Sequence, residues 1–572
     1  MTIININKKS FEKDIGKLDE AMLSKIAMFG TPVDSFDDDD GDDENASFQI
    51  EIFPNRPDLL SYQGFKRSFL AYLDKKGKTG LVDYSKKIKK PLKDYDVIID
   101  KSVESVRPYT ACAIVKNLQL NDARIKEIID IQEKIHTTLG KKRKKAAIGI
   151  YPLEKISLPI TYKALEPDKI KFIPLDSDKE MSGYTILQRH PTGRDYSHLL
   201  AGKEKFPIFI DSKESILSMP PIINSNTTGK IDIGTKDVFV ECSGFDFETL
   251  KSILNIVVTT LADFSDKVEI YQMNLSYYHG RLKKEITPEL KPEKMKISLE
   301  NVNKLLGLNL NTKQLKNYLE RMGYDYNEKK KEVLVPAYRN DILHEVDLIE
   351  DVAIAYGYDN FNPIIPEVST IGSESKNEIV KRKIAEILNG AGFLEISNYH
   401  LTTRDDQFKK MNIGEKEMKE NVIEITESKT EYNILRNDLS HFSLKILSEN
   451  VDVEYPHKIY ELGRVFEINS KTNDIIEKEK LCLAFSPANY TDVKRILETL
   501  MRMMNLEIKI KEPELTDNVP VHFIEGRVAE ILIDNIVIGF IGEIHPKIMK
   551  NWKLKMPVAL FEIDLEMVFN KI

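Results

Sequence analysis

The chain has 572 residues, room for about three to five domains. Hydrophobic residues make up 41% of it, so sizeable cores can be built, and a formal net charge of −8 argues against a protein that coats nucleic acid by bulk charge. Cys112, Cys242 and Cys482 lie far apart with no CxxC pair, which excludes a disulfide framework and suits a reducing cytoplasm. No run is long and apolar enough to read as a signal peptide or a membrane span, Lys8-Lys9 interrupts the N-terminus early, and no repeat defines a solenoid.

Thr2 to Asn7 reads as a short strand, with a helical stretch from Ser10. The acidic run from Asp37 through Asp40, Gly41, Asp42, Asp43 and Glu44 invites a calcium loop. Aligning Gly41 with that loop's glycine puts Phe36 and Ser47 where the first and last carboxylates belong, so a solvated turn is the better reading. Phe48 to Phe53 alternates as a strand, Pro54 and Pro57 bracket a turn, and Asp58 is placed to cap the helix that follows.

From about Tyr95 to Leu275 the pattern is that of one larger α/β module. Its basic run, Lys141-Lys142-Arg143-Lys144-Lys145, can bind phosphate, although such runs are more often solvated loops. Ile216 to Ser225 is too rich in proline for a helix and too apolar for a surface loop, and reads as buried, irregular pocket wall. Phe239-Val240-Glu241 is a strand ended by Gly244, where the ordinary role of Glu241 is a strand-end salt bridge.

Lys291-Pro292-Glu293-Lys294 reads as a linker. Short helices at Val302–Leu306 and Leu315–Met322, a strand at Val333–Val335 and a helix from Ile342 then make a compact, winged-helix-like module. In that last helix Asp347, Glu350 and Asp351 fall on one face and Ile342, Ile349, Val352 and Tyr356 on the other, with Gly357 placed to end it. Asp341 stands just upstream, able to cap the helix or to fold over its acidic face. Four carboxylates this close require either full solvation or a cation, and hard oxygen ligands without His or Cys suit Mg²⁺ better than zinc. Beyond Gly372 comes antiparallel α+β structure: helix Ile379–Leu388, strands at Val422–Thr426, Lys458–Leu462, Leu481–Phe485, Val528–Ile533 and Val537–Ile541, and helix Tyr490–Met503.

The stretch YRNDILHEVDLIEDVAIAYGY, Tyr338 to Tyr358, resembles the signature of the phenylalanine–tRNA ligase beta subunit of archaeal and eukaryotic cytosolic type. NRPDLLS (Asn55 to Ser61), KIYELGRVFE (Lys458 to Glu467) and FIEGRVAEI with IGFIGEIHP (Phe523 to Pro546) resemble further phrases of that family, in its order. The resemblance implies Mg²⁺ bound by Asp341, Asp347, Glu350 and Asp351 together with an alpha subunit. It also implies an editing pocket that hydrolyses tyrosine wrongly attached to tRNA for phenylalanine, with Ser218, Glu241 and Ser243 where the tyrosine hydroxyl is recognised. The family usually continues its basic run into His-Asp, where this chain has Tyr151-Pro152. The implied fold is α+β and α/β multidomain. It comprises an N-terminal α/β module (1–90), an editing module (91–275), a magnesium module (286–363) and a class II synthetase-like catalytic domain (370–572).

A class II active site needs one arginine on a strand for the ATP α-phosphate and another in a late Gly-rich motif for the γ-phosphate, because the planar guanidinium matches phosphate. After Gly542 the chain contains neither glycine nor arginine. The adenylating machinery is therefore incomplete, and the resemblance implies a cytoplasmic beta chain in a heterotetramer of two alpha and two beta chains. The alpha subunit would supply adenylation with ATP and phenylalanine, and this chain the platform and editing. The rivals are a freestanding hydrolase of misacylated tRNA and a non-enzymatic RNA-binding scaffold.

Overall fold

The computed structural model describes every residue except 1, 38–45, 76, 366, 368–369, 415–421, 470–471, 473 and 514–518. Most of the acidic run considered as a calcium loop lies outside the described residues. The chain divides into two compact units, Met1–Ile365 and Pro366–Ile572. Among the described residues no helix is long and apolar enough to cross a membrane, and all three cysteines are free and buried.

The first unit opens with a three-stranded sheet in which Ser47–Ile52 lies between Thr2–Asn7 and Val33–Asp37. Period-2 alternation turns Ile4, Ile6, Phe48, Ile50 and Ile52 to one buried face, where they meet Phe11, Phe65 and Phe69. Ser61, not Asp58, caps the helix Tyr62–Tyr72. Asp58 is instead buried against Arg56 in a two-pronged pair, both N···O distances 2.9 Å, because the turn at Pro57 holds carboxylate and guanidinium coplanar. On the same helix Arg67 bonds Asp263 at 2.7 Å and Tyr84 at 3.0 Å, and lies 3.8 Å from the centre of the Tyr338 ring.

An eleven-stranded sheet forms the bulk of this unit. Through its middle run, in order, Ile160–Leu165, Asp96–Ile99, Glu269–Tyr277, Tyr109–Lys116, Val238–Gly244 and Ala146–Pro152. Val238–Gly244 is antiparallel to both neighbours, so Glu241 stands opposite Cys112 on one side and Gly149 on the other. All seven of its residues are buried. Helix Phe247–Ala262, capped by Asp246, lays Leu250, Ile253, Leu254, Val257 and Leu261 into the core beside it. The stretch expected to be irregular pocket wall is a tight hairpin, Ile216–Met219 paired with Ile223–Asn224, whose turn holds Pro220 and Pro221. Proline cannot donate to a ladder, so it is accepted at that turn.

The segment expected to be winged-helix-like has a three-stranded sheet with Glu332–Val335 between Glu293–Lys296 and Asp325–Asn327. Val302, Leu315, Leu319 and Val333 are fully buried in it. Its last helix runs Glu345–Tyr356, three residues later than Ile342, and ends at Gly357. The helix starts there because His344 caps it while the Asp347 carboxylate reaches back to two backbone N–H groups, of Leu343 and His344, at 2.8 Å each.

The second unit is built on a seven-stranded sheet. Its order is Leu394–Glu395, His457–Ile468, Ile475–Ser486, Ala559–Asp564, Ile536–Ile544, Phe523–Ile533 and Lys509–Lys511, antiparallel except for the first pair. Helices Lys376–Gly390 and Tyr490–Met503 bury Ile384, Leu388, Val493 and Leu497 against Leu481, Leu483 and Phe561. The strand expected at Val422–Thr426 is not formed; Glu424 makes one isolated bridge to Ile434, whose own strand is only two residues long.

Candidate functional site

A cavity of about 580 Å³ opens in the first unit against the hairpin, the strand Ala146–Pro152 and the helix Asp122–Thr137. Its apolar lining includes Ile128, Ile148, Ile150, Pro221, Ile222 and Ile223; its polar lining includes Ser218, Asn224, Glu241, His136 and Arg143.

Sheet register assembles the polar floor. Residues directly opposite one another share a face, so Phe239, Glu241 and Ser243 look the same way as Tyr151, Gly149 and Ala147. Tyr151 stacks on Phe239 with ring centres 5.8 Å apart and lies back over Gly149. A Cβ at Gly149 would fall 2.1 Å from the Tyr151 hydroxyl and 2.6 Å from Glu241 Oε1, so only glycine leaves room for the two to meet. They do meet: Tyr151 Oη donates to Glu241 Oε1 at 3.2 Å, with Asn224 Oδ1 3.4 Å away.

Glu241 is 2% exposed and Ser218 1%. Glu241 Oε2 and Ser218 Oγ are both buried without a hydrogen-bond partner of acceptable geometry. Burial drives the Glu241 acid up to about 8 against the opposing pull of Arg107, and burial drives the Tyr151 phenol well above its ordinary value. At neutral pH the pair is therefore largely uncharged. This is chemistry suited to reading a hydroxyl, not to neutralising an ion.

The rim is polar in a different way. Ile148 N donates to His136 Nε2 at 2.8 Å, which leaves the ring proton on Nδ1, facing Glu133 at 3.2 Å; burial holds this imidazole below its usual value. Of the basic run only Arg143 is drawn in. It pairs with Glu133 at 2.7 Å, donates to the Ile222 carbonyl at 2.8 Å and lies 4.3 Å from the centre of the Tyr196 ring. Lys141, Lys142, Lys144 and Lys145 are exposed.

Ser218 and Glu241 thus line one cavity, whereas Ser243, on the strand face of Glu241 and close to its carboxyl, does not line it and is held by Arg107, whose Nε reaches Ser243 Oγ at 3.2 Å and whose Nη2 reaches the Ser243 carbonyl at 2.5 Å. Arg107 is buried; the strand end satisfies its hydrogen bonds, and its charge acts on the nearby Glu241 carboxyl. Arg107, Asn224 and His136 carry no sequence signal of their own; register and hairpin geometry bring them here.

The acidic helix is arranged otherwise than its spacing implied. Asp351 does not share a solvated face with Asp347 and Glu350: it is 4% exposed and bonded to Arg339 Nη2 at 2.8 Å and to Tyr324. Asp341 neither caps the helix nor folds over Glu350; Arg339 holds it by two 2.8 Å bonds. Asp347 caps the helix, and Glu350, exposed, accepts from Tyr358 at 2.7 Å. Among the described residues no group of three or more His, Cys, Asp or Glu is arranged to hold a metal ion. The cation that the cluster needed is Arg339, two residues before Asp341. As they stand, these four side chains do not fit a resident Mg²⁺.

The model of the tRNA synthetase B5 domain matches residues 295–358, and that of the phenylalanyl tRNA synthetase beta chain CLM domain residues 362–565. The phenylalanine–tRNA ligase beta subunit of Thermococcus sibiricus is 38% identical over 517 residues, covering 89% of each chain. That of Archaeoglobus fulgidus is 34% identical over 579 aligned positions, covering 100% of this chain and 99% of the relative. The crystal structure of an N-terminal fragment of the phenylalanyl-tRNA synthetase beta subunit of Pyrococcus horikoshii matches with a TM-score of 0.57 at 35% identity, covering 62% of this chain and 99% of the fragment.

Two outcomes follow from the buried charges. An acid raised in the fold to about 8 stabilises the fold fully below its unfolded value and progressively less as pH climbs through that window. Glu241→Gln should therefore gain thermal stability relative to the parent between pH 5 and pH 8.5; parallel melting-temperature profiles would refute the raised acid. Asp351→Asn leaves Arg339 with Asp341 alone and should cost about 3 kcal/mol, the low end for a broken buried pair. The loss should appear in urea unfolding, equally with magnesium and with EDTA.

Proposed function

The chain belongs to the phenylalanine–tRNA ligase beta-subunit family, and from that premise we propose that it works in a heterotetramer of two alpha and two beta chains. There the alpha subunit uses ATP to join phenylalanine to its tRNA. The observation that carries this reading is the extent of the relationship, 100% of this chain against 99% of the Archaeoglobus subunit. The chain is accordingly a subunit of an aminoacyl-tRNA ligase serving protein synthesis. The four-part division into 1–90, 91–275, 286–363 and 370–572 and a cytoplasmic place of work belong to the same proposal.

Adenylation falls to the alpha chain. Arg436 is only 2% exposed, and its charge is spent: Nη1 meets Glu461 at 2.6 Å and Nε the Arg464 carbonyl at 2.7 Å. Gly463 accommodates it, since a Cβ there would lie 2.6 Å from Nη2. An arginine held in this way is not free to clamp a phosphate. The sheet of the second unit then serves as a platform. Magnesium enters with ATP on the alpha side; an ion at the acidic helix would find only Glu350, and Asp347 at the expense of its cap, beside groups from the alpha chain.

The cavity beneath Glu241 is the editing pocket of this reading. Tyrosine exceeds phenylalanine by one hydroxyl, which an apolar synthetic site rejects by only ~10²-fold. A second site with unpaired buried polar atoms reverses the preference, because phenylalanine leaves each unpaired at a cost of roughly 1–3 kcal/mol. Glu241 Oε2 and Ser218 Oγ are such atoms. Water adds to the ester carbonyl carbon, the bond to the tRNA ribose oxygen breaks, and that oxygen leaves as a hydroxyl with a proton from the water. Water positioned against an activated ester is sufficient without a side-chain base.

Co-expression tests the assembly. The chain should purify in equal amount with an alpha chain, and the complex should charge tRNA with phenylalanine. The chain alone should show no phenylalanine-dependent pyrophosphate exchange; exchange above background would overturn the division of labour, and full hydrolytic activity without alpha would favour the freestanding hydrolase. Within the complex, Glu241→Ala should lower the ratio of tyrosyl- to phenylalanyl-tRNA deacylation by about 10-fold, one hydrogen bond's worth. An unchanged ratio would remove Glu241 from the pocket.

A further inference from the structure

We propose that Tyr151 is a positioning residue for hydroxyl recognition: its phenol fixes the Glu241 carboxyl through Oε1, so that Oε2 and Ser218 Oγ remain as the pair that reads a ligand's phenolic hydroxyl. This rests on reading the cavity as the editing pocket, and it assigns a role to the position where the chain carries Tyr-Pro.

The geometry separates Tyr151 from the cavity while coupling it to the reader. Tyr151 is fully buried and does not line the cavity; Glu241, Ser218 and Asn224 do. Its ring runs along the sheet, stacked on Phe239 and laid over the vacant face of Gly149, and only its hydroxyl reaches the carboxyl. A carboxyl with neither oxygen held would rotate about its last side-chain torsion, which is broad and roughly two-fold. Bonding Oε1 from behind removes that freedom and leaves Oε2 as the oxygen that meets the cavity. The register enforces the arrangement, since Glu241 is paired with Gly149, two residues before Tyr151 on the same face.

Ser218 completes the pair. It sits on the first arm of the hairpin, opposite Asn224 and close to the Tyr151 phenol, and its hydroxyl is buried without a well-formed hydrogen bond, like Glu241 Oε2. A hydroxyl both donates and accepts, so a ligand phenol can satisfy a carboxyl oxygen and a serine hydroxyl together. Toluene-like side chains satisfy neither. Tyr151 thereby acts on specificity through Glu241 and touches no substrate.

The test compares the wild-type complex with Tyr151→Phe, which keeps the ring, its stacking and its volume and removes the one oxygen. Deacylation of tyrosyl-tRNA should fall about 10-fold in kcat/KM, mainly through KM, while phenylalanyl-tRNA deacylation and charging with phenylalanine stay unchanged. A merely structural role would move both esters together. An unchanged tyrosine-to-phenylalanine ratio overturns the proposal, and so does faster tyrosyl-tRNA hydrolysis, which would mean that the phenol obstructs the pocket. Binding of 4-methylphenol against toluene decides the matter independently of hydrolysis. A preference for 4-methylphenol in the wild type that weakens about 10-fold in Tyr151→Phe supports the positioning role, and equal preference in the two proteins refutes it. If the wild type binds 4-methylphenol selectively, Tyr151→Phe weakens that preference, and neither ester is deacylated, the hydrolytic reading of the pocket fails while the positioning role stands.

Discussion

The pocket depends on a carboxyl placed where water does not reach and no cation meets it. Glu241 lies on a strand buried along its whole length, paired on both sides, and Arg107, the guanidinium that favours its ionised form, is spent on Ser243. A carboxylate in such a place costs several kcal/mol to ionise, so the group remains a neutral acid near pH 7. The glycine opposite, the tyrosine laid over it and the serine across the cavity are all arranged around that neutral group. Had Arg107 paired with Glu241 directly, the site would hold an ion pair with nothing left over for a ligand.

Arg339 solves the converse problem within the same unit. It gathers Asp341 and Asp351 into one buried cluster capped by Tyr324. This leaves Asp347 to hold the start of the helix and Glu350 to face solvent. Acidic residues that read as one set in sequence thus do three separate jobs, and the cation that organises two of them comes from the polypeptide.

Much of this was legible beforehand. The strand Thr2–Asn7 and the helix Tyr490–Met503 have the bounds that their patterns imply, because alternation and 3.6-residue periodicity are local signals. Glu241 could be placed on a strand before Gly244 for the same reason. That it stands opposite Gly149 could not, because register is set by a partner about ninety positions away. The error at Asp58 has a similar origin. An aspartate before a helix caps it by default, but Arg56, only two residues earlier, outbids the backbone N–H groups with a charged fork. The acidic helix misled because a helical wheel shows angular position and not depth; Asp351 borders Asp347 on the wheel yet lies under Tyr324 and Arg339.

The order of strands also bears on how the chain is made. Asp96–Ile99 and Tyr109–Lys116 follow one another in sequence, yet Glu269–Tyr277 runs between them in the sheet. At translation speeds of about 5–20 residues per second, the roughly 160 residues between Tyr109 and Glu269 take on the order of 10–30 s to emerge from the ribosome. Once it emerges, late in that interval, the strand bearing Glu241 can pair with its own neighbours, but the far half of the sheet has nothing to dock on, and two β-edges stand open. Open edges of this kind recruit foreign strands, so the nascent chain is most exposed to mispairing just before the strand that joins the two halves arrives.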